Sequence, residues 1–196
     1  MCSDINHNVR QVADELYQIS HLFDESFEQN LLAIIENYIK SGQLKSDETS
    51  EIEIEKMGLQ PTFEKLIQTV VLPLTRDLFP DLKDLVYDSC YGFVVHHLFG
   101  EDANYDNWNY VDEEGNVTSL HVDDSDITLN YCIGKNFSGS LLKFYGEDKT
   151  TKQVVDCPQK PRSGYMHKGS NWHEVLPIES GERFNVILWC RFKKLT

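Results

Sequence analysis

Residues 118–133 read TSLHVDDSDITLNYCI, and the fold class turns on how this stretch is parsed. Thr118 to Val122 and Ile127 to Ile133 are short runs rich in β-branched residues, and the Asp-Asp-Ser-Asp of 123–126 between them forms a turn. The same grammar repeats outward. Gly92 to Leu98, Leu141 to Tyr145, Gln153 to Val155, Tyr165 to His167, His173 to Leu176 and Phe184 to Phe192 are runs of this kind, parted by Gly, Asn, Asp and Ser. Short strands in this number predict a double-sheet barrel, a jelly roll, with an open mouth between its sheets.

Towards the N-terminus the period changes. Val12, Leu16, Ile19 and Phe23, then Leu31, Ile34, Ile35 and Tyr38, recur at helical spacing and stop at Gly42. One long or two shorter amphipathic helices are expected over Val9 to Ile39. A second helical stretch is expected from Pro61, whose fixed φ suits a first turn, through Phe63, Leu66, Ile67, Val70 and Leu74 to Phe79-Pro80, kinked at Pro73. The expected class is α+β in a single domain over 1–196, with a supporting helical region in 1–83 and a jelly-roll, or double-stranded β-helix, core in 84–196.

Composition sets limits on partners. At 40% hydrophobic and 26% charged the chain is an ordinary globular one. A net charge of -14 disfavours nucleic acid, whose binders carry a basic face. The acid run Asp47 to Glu55 (DETSEIEIE) reads as a solvated loop or helix face, although it has the charge to attract a basic partner. No basic stretch followed by an apolar one opens the chain, and no window approaches the roughly 18 apolar residues of a membrane span, so a cytoplasmic, membrane-free protein is expected. Cys2, Cys90, Cys132, Cys157 and Cys190 are scattered without a CxxC pair, which predicts reduced thiols.

The chemistry begins at His121-Val122-Asp123. An i, i+2 spacing on extended backbone sends both side chains to one face, their Cα atoms about 7 Å apart, where both can hold one ion. Two His and one carboxylate fill one face of an octahedron and leave the opposite positions open, which suits non-haem Fe(II) that must hold a 2-oxo acid and still admit O2. Fifty residues on, GYMHKGSNWHEVLPIESGERFN (164–185) supplies His173 and, beyond it, Arg183. A guanidinium beside the metal strand can clasp a distal carboxylate bidentately.

These elements resemble a known family. From Phe93 to Phe192 the chain is similar to the catalytic domain of Fe(II)/2-oxoglutarate dioxygenases of the prolyl and lysyl hydroxylase type, in particular the 2-oxoglutarate and iron-dependent oxygenase domain-containing protein 2 group. The resemblance is carried by His121-x-Asp123-Asp124, Thr128-Leu129-Asn130, Ile133-Gly134-Lys135, Phe137-Ser138-Gly139, Leu142-Lys143-Phe144, His167-x-Gly169, His173 and Ser180-Gly181-Glu182-Arg183-x-Asn185 with Trp189. It implies that His121, Asp123 and His173 bind iron, with His173 preferred over His167, and that Arg183 binds 2-oxoglutarate. It also implies O2 as co-substrate, ascorbate as an accessory reductant, hydroxylation as the reaction and a protein prolyl or lysyl side chain as the target. A small-molecule substrate, a metal-binding module without turnover and a cupin-like enzyme using another metal stay open.

Other positions are less decided. Asn185 shares the face of Arg183 and either orients the acid or satisfies a buried backbone group. Asn130 and Thr128 share a face as supporting donors or as ordinary strand residues. Trp189 is expected in the core, and Gly139, Gly164 and Gly181 as turn formers. Relatives commonly have Lys-Tyr where His96-His97 stands here, so either His97 replaces the tyrosine as donor to 2-oxoglutarate or that contact is lost. The stretch between Gly100 and Gly115, EDANYDNWNYVDEEG, is either a substrate loop or a surface hairpin.

Overall fold

The computed structural model describes residues 8–42, 51–99, 110–111, 117–118, 120–148 and 154–194. In chain order the elements are β1 (Val9–Ala13), β2 (Leu16–Ser20), α1 (Glu25–Lys40), β3 (Glu51–Glu53), α2 (Gln60–Leu66), α3 (Leu72–Leu78), β4 (Leu85–Leu98), β5 (Tyr110–Val111), β6 (Val117–Thr118), β7 (Ile127–Ile133), β8 (Phe137–Gly139), β9 (Leu141–Gly146), β10 (Val155–Pro158), β11 (Ser163–Lys168), β12 (Trp172–Val175) and β13 (Ile178–Lys194). The major sheet runs β1-β2-β11-β7-β13-β4-β3, with β8 on the first residues of β13, and the minor sheet runs β10-β9-β12. Every pairing is antiparallel.

The major sheet has two unlike faces. Phe184, Val186, Leu188 and Cys190 of β13, with Ile127, Leu129, Tyr131 and Ile133 of β7, point outward and are buried beneath the helices in one apolar core. The alternate residues point inward between the two sheets. Strand periodicity thus separates the surface that stabilises the fold from the surface available for chemistry.

The N-terminal segment departs from expectation. Val9 to Ser20 is a β-hairpin turned at Asp14-Glu15, and the helix begins only at Glu25, after Asp24 caps it by accepting from Phe27 N at 2.9 Å. The cause is that β2 lies between two layers: Leu16 packs into the small cluster between the sheets and Ile19 into the core under the helices. An i, i+3 pair serving opposite faces of a sandwiched strand has the spacing of one helical face. The helical reading of 1–83 is corrected further by β3, where Ile52 is buried and the acid run contributes an edge strand.

The second helical stretch runs continuously from Gln60 to Leu78, widened to a π-helical turn at Ile67–Val71 just before Pro73. Proline has no N–H to offer the preceding turn, and the wider turn accommodates that loss. The expected strand Thr118 to Val122 is β6 followed by an isolated bridge at His121, and Gln153 lies outside the described residues. So do Cys2, residues 47–50 and nearly all of the 100–115 stretch, of which only β5 is described. Among the described residues no helix is long and apolar enough to cross a membrane.

Helix α1 is tied to the sheet by a buried polar cluster. Tyr131 donates its hydroxyl to Glu28 Oε1 at 2.9 Å, and Arg162 Nε lies 2.8 Å from Glu28 Oε2. Burial raises the Glu28 carboxyl above its ordinary range, against the hydrogen bond from Tyr131 and the charge of Arg162. Tyr131→Phe removes a donor from a buried carboxyl, so denaturant unfolding should show a loss of about 1–2 kcal/mol. An unchanged midpoint and slope would mean that the cluster does not hold the helix.

Candidate active site

The site is built where the backbone of residues 120–123 meets β12. His121 N donates to His173 O and His173 N donates to His121 O, each at 2.9 Å, while Asp123 N donates to Gly169 O at 2.9 Å. These bonds set both imidazoles beside one carboxylate. Nε2 of His121 lies 3.6 Å and Nε2 of His173 3.7 Å from Asp123 Oδ1, and one donor atom from each of the three residues falls within 4.8 Å of the others.

His173 and Asp123 are oriented from behind. His173 Nδ1 donates to Asn171 O at 2.9 Å, which leaves Nε2 as a lone pair facing the cluster. Burial pushes the His173 ring down to about 3, although Asp123 pulls the other way, so the ring is neutral at physiological pH. Thr128 donates to the other carboxylate oxygen, Asp123 Oδ2, at 2.6 Å, and Ser125 stands 2.8 Å behind Thr128. His167 is on this far side too: its Nε2 is 3.8 Å from Oδ2 and its Nδ1 donates to Lys168 O. It stands behind the carboxylate while His173 stands in front.

The cluster opens into a pocket whose wall is the inner face of β13, β7 and β4, including Arg183, Asn185, Asn130, His97, Phe93 and Trp189. Arg183 is 2% exposed and donates to Ser140 Oγ, which also accepts from Gln159 Nε2 at 2.9 Å. His97 stands directly across the strands from Arg183. Burial, with the charge of Arg183 next, pushes its ring down to about 3, so a neutral imidazole faces the guanidinium. Asn185 Nδ2 donates to Asn130 Oδ1 and Gln159 Oε1.

Against the sequence reading, His121, Asp123, His173, Arg183, Asn185, Asn130 and His97 are all brought to one pocket, and Thr128 is bonded to the carboxylate. Trp189, expected in the core, stands in the pocket wall. Gly164 makes no turn: it lies within β11, where an added Cβ would sit 2.2 Å from Asn130 O of the neighbouring strand. Ser140 and Gln159 escaped notice, since nothing in their local sequence marks them, and Glu51 was read only as one member of the acid run 47–55.

No family model matches the sequence. The chain is 32% identical over 148 residues to 2-oxoglutarate and iron-dependent oxygenase domain-containing protein ICU11 of Arabidopsis thaliana, a match covering 71% of this chain and 34% of that protein. It is 28% identical over 178 residues to 2-oxoglutarate and iron-dependent oxygenase domain-containing protein 2 of Mus musculus, covering 87% of this chain and 47% of that one. The chain belongs to this oxygenase family. It spans between a third and a half of the length of these relatives. In fold it is similar to a prolyl hydroxylase from Trichoplax adhaerens solved in complex with a hypoxia inducible factor peptide fragment, with a TM-score of 0.62, 16% identity, and coverage of 91% of this chain and 84% of that one.

The residues fit the cofactors that the family name states. Two imidazole nitrogens and a carboxylate oxygen form a donor set suited to Fe(II), and a buried guanidinium in the same pocket suits a dicarboxylate. Asn185 Oδ1 and Trp189 Nε1, both buried in this wall, have no hydrogen-bond partner among the described residues. Thr128 is the side chain that aims the carboxylate of Asp123. Thr128→Val keeps the shape and removes the donor, so Fe(II) affinity should fall about 10- to 100-fold in a competition titration while the far-UV spectrum stays the same. Undiminished affinity would show that Asp123 is aimed without it.

Proposed function

We propose that this domain is a hydroxylase that uses Fe(II), 2-oxoglutarate and O2 to hydroxylate a C–H bond on a prolyl or lysyl side chain of a protein or peptide, and that residues 1–196 form one catalytic domain. In this reading His121, Asp123 and His173 ligate the iron and Arg183 clasps the distal carboxylate of 2-oxoglutarate. The observation that carries it is the sharing of one pocket by the His-Asp-His cluster and the buried Arg183 guanidinium. A cupin-like hydrolase or isomerase has use for the first and none for the second.

Bound iron with 2-oxoglutarate would supply O2 activation and C–H cleavage, driven by oxidative decarboxylation to succinate and CO2. The chain's part is placement. His121, Asp123 and His173 approach an ion from one side only and leave the other side for the acid and O2. Arg183, braced by Ser140, fixes the acid's far end, and His97 offers a neutral N–H from the facing strand. Asn185 lines the same pocket and its Oδ1 is buried without a hydrogen-bond partner among the described residues. Phe93, Ile187 and Trp189 make the remaining wall apolar, which keeps water from the reacting centre. A peptide target is supported by the peptide in the Trichoplax enzyme of the same fold.

The test is anaerobic titration of metal-free protein with Fe(II) and then 2-oxoglutarate, following the visible charge-transfer band of a 2-oxo acid chelated to Fe(II). A saturable band is expected in the wild type and none in His121→Ala or Asp123→Ala. Arg183→Ala should retain iron and need far more 2-oxoglutarate. With no band from folded, iron-loaded protein, the oxygenase reading gives way to a binding module without turnover.

A further inference from the structure

The rim of this pocket carries a feature that iron and 2-oxoglutarate leave unused. Strand β3 is the edge of the major sheet, and its alternate residues Glu51 and Glu53 pair with Val95 and Phe93 of β4. Beside them Tyr91, Phe93 and Trp189 form a continuous aromatic surface, with centroids 5.3 Å apart for Tyr91–Phe93, 5.3 Å for Phe93–Trp189 and 6.1 Å for Tyr91–Trp189. Glu51, Phe93 and Trp189 line the same pocket as the metal cluster. Tyr91 is 46% exposed, unusual for a ring with two aromatic neighbours at hand.

Aromatic faces edged by carboxylates have one chemical preference, a cation, drawn by the ring quadrupoles and paired by the acids. The rim already holds one ammonium of its own, since Lys56 Nζ lies 3.2 Å from Glu53 Oε1. Glu51 is in no ion pair among the described residues. Burial, and then the charge of Glu53, push its carboxyl up to about 7, a penalty that an arriving cation relieves. A net charge of -14 favours the approach of a basic partner as well.

We infer that this rim binds a Lys or Arg side chain of a basic peptide substrate, seated on Tyr91, Phe93 and Trp189 and paired with Glu51. The inference rests on the oxygenase reading and adds the substrate's charge.

The probe is a pool of random nonapeptides passed over immobilised protein loaded with Fe(II) and 2-oxoglutarate without O2, with retained peptides sequenced by mass spectrometry. Lys and Arg should be enriched about fivefold over Ala on the wild type, and Glu51→Gln and Trp189→Leu should each erase most of that. No enrichment, or the same enrichment on Glu51→Gln, overturns the inference. Free L-lysine binding as tightly as the retained peptides overturns the peptide assignment in favour of a small cationic substrate. The charge-transfer band read on the same samples separates the two levels: band without enrichment removes only the cation site, and absence of the band removes both.

Discussion

The reciprocal backbone bonds between His121 and His173 are the constraint on which the site depends. Each residue donates to and accepts from the other, so the two imidazoles of the cluster are fixed by main chain as well as by packing. Asp123 is set by the next bond along, to Gly169 O, and this tolerates no side chain on the loop: a Cβ at Gly169 would sit 2.0 Å from Ser125 O. A donor set built on main-chain hydrogen bonds resists the splay that like-facing polar groups would otherwise undergo. It also ties the minor sheet to the loop that leads into β7, so the centre lies where the two sheets converge.

From that point the period of a strand distributes the roles. Along β13 the odd residues Arg183, Asn185, Ile187 and Trp189 line the pocket and the even residues Phe184, Val186, Leu188 and Cys190 fill the core. A one-residue slip would exchange the two sets and bury the guanidinium under the helices. The register is held by long antiparallel pairing with β4 on one side and β7 on the other. The helices therefore support function indirectly: by making the outer face a core, they fix which residues face inward.

Legibility in the sequence followed the range of the interactions. The His-x-Asp spacing, the later His and the Arg that follows it were readable because their chemistry is set by local geometry on strands. His173 and His167 were separable only by resemblance, and the structure adds the physical difference, since His173 faces Asp123 Oδ1 with the cluster and His167 stands behind at Oδ2. The hairpin of β1 and β2 was unreadable because Leu16 and Ile19 bury into different layers, a tertiary fact that mimics helical spacing. Strand β3 was hidden by charge: two glutamates around one buried isoleucine look solvated until a partner strand is known. Ser140 and Gln159 meet Arg183 and Asn185 from distant segments, and Trp189 looked like any aromatic on a strand.

The pocket is costly to the fold that makes it. Arg183, Asn185, Asn130 and Gln159 are all buried, and a buried charge or amide loses its water whether or not it gains a ligand. Part of the loss is recovered inside the protein, by Ser140 under Arg183 and by the amide contacts of Asn185 with Asn130 and Gln159. The remainder, visible in the unpartnered Asn185 Oδ1, is offset by the apolar surface buried on the other side of the same strands. A binding face made of such groups is pre-organised at the expense of stability, because the strand that presents the polar residues inward also buries Phe184, Val186 and Leu188 outward. Destabilising the outer core should therefore loosen the pocket before it unfolds the chain, since both faces depend on the register of one strand.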